Sequence, residues 1–123
     1  MNQTTQQAAR PERDLNMKKQ DIIQYATREI RRNAYTARIC EELKGLGFDA
    51  GMMEYHENTN NGKAFGMMEM LRYVTGEAAD VIYQDANDEA IADIRKANYD
   101  TVELLNMAGF DGPAYYAVET RHA

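Results

Sequence analysis

Leu43-Lys44-Gly45-Leu46-Gly47-Phe48-Asp49-Ala50 is where the longest regular pattern of this chain stops and a new one starts. A helical pattern runs from Pro11 to about Leu46, with no internal glycine or proline before Gly45. Gly47 suits the left-handed residue that follows a helix, Phe48 suits the apolar residue that folds back on the last turn, and Asp49 suits the N-cap of a following helix. Gly109-Phe110-Asp111 repeats the arrangement, with Pro113 placed for the first turn of a terminal helix through Tyr115, Tyr116 and Val118.

Working outward, Leu15, Ile22, Ile23, Ala26, Ile30, Ala37 and Cys40 gather on one side of the first helix at 100° per residue. Asn33 interrupts that stripe, and Leu43 and Leu46 drift off it. A short helix over about 50–57 is expected to end in Asn58-Thr59-Asn60-Asn61-Gly62, a polar cluster of turn type. Ala64 to about Asp85 gives a second long helix, expected to be central, with Met67, Met68, Leu71, Val74, Ala78, Val81 and Ile82 inward and Gly76 as a candidate kink. Asn87 or Asp88 can cap a third, whose inward stripe is Ile91, Ile94, Asn98, Thr101, Val102 and Leu105.

The expected fold is therefore all-α: a small helical bundle of three long helices (about 12–46, 64–85 and 88–108) plus two short ones (about 50–57 and 113–120). Residues 11–123 read as a single helical domain and 1–10 as a disordered lead-in. A weak internal duplication is one account of the shared Gly-Phe-Asp endings. Ile30-Arg31-Arg32, Tyr35 and Glu42-Leu43 echo Ile94-Arg95-Lys96, Tyr99 and Glu103-Leu104, with gaps that come to a net two residues by the Gly-Phe-Asp endings.

Only 44% of residues are apolar, and Ala, Met and Tyr supply much of that share, so the core is expected to be thin and soft. A second copy would help to cover it, which makes a homodimer one expectation. Apolar runs are far shorter than the roughly 20 residues of a bilayer span or the 7–15 of a signal-peptide core, and Cys40 is alone. The sequence-level expectation is a cytoplasmic protein with no membrane association.

The chemistry-bearing residues argue against an enzyme. Gly45-Leu46-Gly47-Phe48-Asp49-Ala50 spells the G-x-G-x-x-A dinucleotide fingerprint, but it follows a helix where that fingerprint needs a strand. Glu54-Tyr55-His56-Glu57 is the one place where imidazole neighbours carboxylates, without the spacing of a metal site, and His122 lies near the end of the chain. The sequence has no serine, Cys40 sits in an apolar stripe, and Gly62-Lys63 lacks the upstream glycine of a phosphate loop. No cofactor and no metal are expected.

Charge is the remaining signal. The net −6 divides into about +3 over residues 10–44 and about −9 over 45–123. Glu77, Asp80, Asp85, Asp88, Glu89 and Asp93 run without an intervening Lys or Arg and form the expected partner-binding surface, suited to a basic protein. Arg28, Arg31, Tyr35 and Arg38 form an alternative basic face, although a pI near 4.9 weighs against nucleic acid as the partner. The function expected from the sequence is a non-enzymatic acidic helical protein that regulates or inhibits a macromolecular partner. A phage or mobile-element inhibitor that imitates nucleic acid before a bacterial defence enzyme is one such protein. The alternatives are a nucleic-acid-binding accessory factor and a structural assembly subunit.

Overall fold

The computed structural model describes the backbone of residues 2–121 and the side chains of residues 18–121. It is an all-α bundle of three long and two short helices: α1 (Asn2–Gly45), α2 (Ala50–Thr75), α3 (Asp80–Lys96), α4 (Thr101–Met107) and α5 (Gly112–Arg121). The lead-in expected over residues 1–10 falls among residues whose side chains lie outside that description.

Both Gly-Phe-Asp segments stop a helix as their chemistry dictates. Gly47 has φ +81° and Gly109 φ +95°, a region that glycine enters without the Cβ penalty of other residues. At the first stop the Gly47 N–H donates to the Lys44 carbonyl (2.9 Å) and the Phe48 N–H to the Leu43 carbonyl (3.0 Å). At the second the Gly109 N–H donates to Asn106 (3.0 Å) and the Phe110 N–H to Leu105 (3.0 Å). These are the paired bonds of the Schellman motif. Phe48 and Phe110 then pack against the cluster that buries Leu43 and Leu105.

A third stop of the same construction lies between them, where the sequence pattern predicts one helix from 88 to 108. Asn98 (φ +54°) takes the glycine's place: its N–H donates to Arg95 (3.0 Å), and the Tyr99 N–H donates to Ile94 (3.3 Å). Asp100 then caps α4, its Oδ1 accepting from the Glu103 N–H at 2.9 Å. Asn98 is exposed in this turn and is not the inward-facing asparagine that its place on a helical wheel suggests. Consequently the segments echoing one another around Tyr35 and Tyr99 differ in conformation: Tyr35 lies inside α1, whereas Tyr99 has φ +58° at a helix break.

Two other boundaries move. Asn58 to Gly62 do not turn, because α2 runs through them. Its buried Met53, Ala64 and Leu71 lie on one side of the helix on both flanks of the polar cluster, and this packing overrides the cluster's weak helix propensity. Asn60 Nδ2 bonds back to the His56 carbonyl (2.7 Å), and Asn61 Oδ1 accepts from the Tyr83 hydroxyl (2.7 Å). Gly76 ends α2 in the left-handed conformation, its N–H on the Arg72 carbonyl at 2.7 Å. That break shifts the phase of the residues beyond it, which leaves Ala78 exposed and Val81 69% exposed instead of inward. Asn87 and Asp88 lie inside α3 and cap nothing.

The central helix is α1, which packs against α2, α3 and α4. Ala26, Ile30, Ala37 and Cys40 of the expected stripe are buried, as is Ala34 beside them, and Asn33, also buried, is satisfied by the Glu29 carbonyl at 2.7 Å. Ile39 and Leu43, off that stripe, are buried too, because the C-terminal half of α1 is covered from a second side. Ile22, expected on the stripe, is exposed. The core divides in two. Ile39, Cys40, Leu43, Met53, Ala90, Ile94, Leu104 and Leu105 form one cluster. Ala26, Ile30, Leu71 and Ala79 form a smaller one, padded by Met67, Met68 and Met70, whose flexible thioethers fill irregular space. No helix among the described residues is long and apolar enough to cross a membrane.

Candidate interaction surfaces

The acidic residues occupy the α2–α3 corner and the outer sides of α3. Glu77 is exposed in the corner, where its N–H donates to Thr75 Oγ1 (3.1 Å). Asp80 opens α3, where its charge suits the positive end of the helix dipole. Asp85, Asp88 and Glu89 are exposed along the helix, and Gln84 Nε2 donates to Asp88 Oδ1 at 3.1 Å. Asp85, Glu89 and Asp93, four residues apart, share one side of α3, while Asp80 and Asp88 share another. These five therefore form two rows, with Glu77 apart from both in the corner, and not one patch. Asp93 is drawn inward, its Oδ2 accepting from the Tyr35 hydroxyl at 2.8 Å.

That same bond reshapes the basic face. Tyr35 does not stand between arginines in solvent; it is half-buried against α3, and burial, reinforced by the bond to Asp93 and by the charges of Asp93 and Glu89, raises its hydroxyl pKa well above the usual value. Arg38 is half-buried and pairs with Glu41 at 2.9 Å. Arg28 and Arg31 remain exposed. Of the four, then, two are tied into the fold.

A feature that sequence reasoning does not reveal is an open cleft of about 640 Å³ between α1, α2, α3 and the end of α4. Arg31, Arg32, His56, Asn60, Lys63, Glu89 and Phe110 all line it. Arg32 is paired with Glu29 (2.7 Å) and His56 rests on Phe110 (centroids 5.1 Å apart), so the imidazole is packed against the second stop. The only signal for this cleft is the spacing of His56, Asn60 and Lys63 on one side of a helix whose polar cluster at 58–62 reads as a turn.

At the base of the bundle the two Gly-Phe-Asp stops meet. Tyr115 of α5 lies between Phe48 (5.6 Å) and Phe110 (5.2 Å), and its hydroxyl donates to Asp49 Oδ2. Burial first, and then that bond, raises the Tyr115 hydroxyl pKa. Burial also pushes the Cys40 thiol up to about 11, with the Glu57 charge adding to the effect, so at neutral pH it stays a protonated core residue. Among the described residues no group of three His, Cys, Asp or Glu is placed to hold a metal ion. His122 lies outside the described residues.

No protein-family model matches the chain, and neither a curated protein nor a solved structure matches it.

The two charge-separated halves noted in the sequence are joined by few direct bonds. The ion pairs among the described residues are Arg32–Glu29, Arg38–Glu41 and Lys44–Glu57, of which only the last links the basic half to the acidic one. None of them involves Glu77, Asp80, Asp85, Asp88, Glu89 or Asp93.

Proposed function

We propose that this chain is a non-enzymatic binding protein that regulates or occludes a macromolecular partner, engaging a basic surface with the α2–α3 corner and the outer sides of α3. The observation that carries this reading is that Glu77, Asp80, Asp85, Asp88 and Glu89 are exposed and without an ion pair among the described residues. Carboxylates left uncompensated on a surface create a field that steers a basic partner and favours close docking with it.

Their spacing favours a protein surface over strict imitation of nucleic acid. The four-residue steps of Asp85, Glu89 and Asp93 place one charge about every 6 Å, and the eight-residue step from Asp80 to Asp88 one about every 12 Å, whereas one strand of duplex DNA carries a charge about every 3.4 Å. The rows are a sparse copy of a phosphate backbone. They suit lysines and arginines distributed over a protein, including one that handles nucleic acid in a bacterial defence system.

Affinity capture from the native host, followed by a binding titration with the captured partner, tests this. Binding should weaken steeply between low and high salt, because exposed charges are screened beyond about 8–10 Å at physiological ionic strength. Glu77→Gln, Asp80→Asn and Asp88→Asn combined should weaken it at least tenfold. A partner indifferent to both salt and these changes overturns the electrostatic reading.

One observation favours the nucleic-acid-binding alternative: the cleft gathers Arg31, Arg32 and Lys63 where a phosphate could approach. Titration against DNA and RNA at low salt distinguishes it, and the absence of binding there removes it.

A further inference from the structure

The side of α2 turned away from α1 is unpartnered among the described residues and carries a pattern of its own. Gly51, Tyr55, Asn58, Gly62, Gly66, Glu69 and Tyr73 follow one another at steps of three or four residues, and all are exposed. Tyr55 is 61% exposed and Tyr73 is 92% exposed. A side chain built at Gly51, Gly62 or Gly66 would meet nothing within 4 Å. Interior glycines weaken a helix relative to alanine, and on this side of α2 the fold gains no close approach from them.

Four residues of the pattern, Tyr55, Gly62, Gly66 and Tyr73, read the same in reverse. Tyr55 precedes Gly62 by seven residues, Gly66 follows four later, and Tyr73 follows seven after that. In a twofold dimer, whatever residue i meets on the partner meets residue i back. Two α2 helices laid antiparallel about the midpoint of Gly62 and Gly66 satisfy this throughout. Gly62 falls on Gly66 of the partner subunit, and Tyr55 falls on Tyr73 of the partner subunit, each contact occurring twice.

Charge on the flank agrees with the same register. Glu54 and Arg72 are eighteen residues apart, five full turns, so they stand on the same side of the glycine stripe. Both are exposed, and neither is in an ion pair among the described residues. The antiparallel pairing brings Glu54 within two residues, about 3 Å of helix rise, of Arg72 of the partner subunit, at both ends of the contact.

We propose that a second copy of this chain docks antiparallel on the outer side of α2, with Gly62 and Gly66 at the crossing, Tyr55 against the partner's Tyr73 and Glu54 beside the partner's Arg72. Glycines at the crossing let the two backbones approach closely while the tyrosines cover both ends. A single helix pair buries an area at the small end of specific interfaces, about 1,200 Å², so the dimer dissociates in the micromolar range, about 1–100 µM. The acidic corners then sit at opposite ends of the pair, about 40 Å apart. The pairing does not rest on the function proposed above.

Sedimentation equilibrium of the full chain over a micromolar concentration series tests it. The mass should rise from 14.0 kDa toward twice that value. Gly62→Leu and Gly66→Leu should each shift the equilibrium at least tenfold toward monomer. Leucine is a better helix former than glycine, so far-UV helicity should hold or rise, which separates lost pairing from lost folding. Glu54→Arg and Arg72→Glu should each weaken the dimer, since each creates two like-charge contacts, and the double change should restore it. A chain that stays monomeric throughout, a dimer indifferent to the glycine changes, or a charge swap that fails to restore association would each overturn the proposal.

Discussion

The two Gly-Phe-Asp stops share a sequence and a hydrogen-bond pattern, yet they diverge at the aspartate. Asp111 behaves as an N-cap: its Oδ1 accepts from the Ala114 N–H at 3.2 Å and its carbonyl from the Tyr115 N–H at 2.9 Å. Asp49 is itself left-handed (φ +42°), makes no side-chain cap to α2, and instead receives the Tyr115 hydroxyl. The glycine and the aromatic residue thus set the stop locally. What the aspartate does next is decided by the neighbour that tertiary packing supplies.

The residues just after the two stops offer the most severe way to break the likeness. Ala50 is exposed, whereas Gly112 is buried and its N–H donates to Asn106 Oδ1 at 2.8 Å. A Cβ at Gly112 would overlap the Val102 carbonyl oxygen and the Asn106 side chain. Because one of those obstacles is backbone, Gly112→Ala should destabilise the fold by about 3 kcal/mol, the upper end for overpacking. Ala50→Gly at the matching place should cost about 1 kcal/mol or less. Denaturant titration of both variants checks the contrast, and equal losses would erase it.

The aspartates give a smaller contrast, with a pH signature. Asp111→Ala removes a cap, and Asp49→Ala removes an acceptor from a half-buried hydroxyl; each should cost about 1 kcal/mol. Only one of them is coupled to titration. The folded-state pKa of Tyr115 is raised above its unfolded value of about 10. Its contribution is therefore fully present below pH 10 and is lost as pH rises beyond that. Asp49→Ala should lower the Tyr115 hydroxyl pKa part of the way back, read as the Tyr115 share of phenolate absorbance by difference from a Tyr115→Phe chain, and reduce the alkaline loss of stability attributable to Tyr115. Asp111→Ala should leave both unchanged.

These pairs also show what a sequence can disclose. The Gly47 and Gly109 stops are legible because the chemistry of a Schellman ending is local, and so are the all-α class and the balance of long and short helices. Helix joints set by packing are not. Asn58 to Gly62 read as a turn, but Met53, Ala64 and Leu71 hold one helix through them. The acidic residues are legible as a group, yet the split into two rows and the capture of Asp93 by Tyr35 depend on where α3 starts and what it packs on. The cleft is illegible because its walls come from α1, α2, α3 and the end of α4, and local chemistry misplaces the joint inside α2 and the break between α3 and α4.

The least conspicuous stop, Asn98-Tyr99-Asp100, allows the gentlest test. It makes the same two backbone bonds as the glycine stops with an asparagine in the left-handed place. For ordinary residues that conformation costs about 1–2 kcal/mol, and asparagine less. Asn98→Gly relieves this strain but also loosens the unfolded chain, a penalty of about 0.4–1 kcal/mol. The Asn98 side chain is exposed and makes no hydrogen bond among the described residues, so little else is lost. The two terms nearly cancel, and the net change should be a gain of a few tenths of a kcal/mol. A thermal midpoint equal to or slightly above that of the parent chain is expected, and a fall of several degrees would mean that the third stop is not built like the other two.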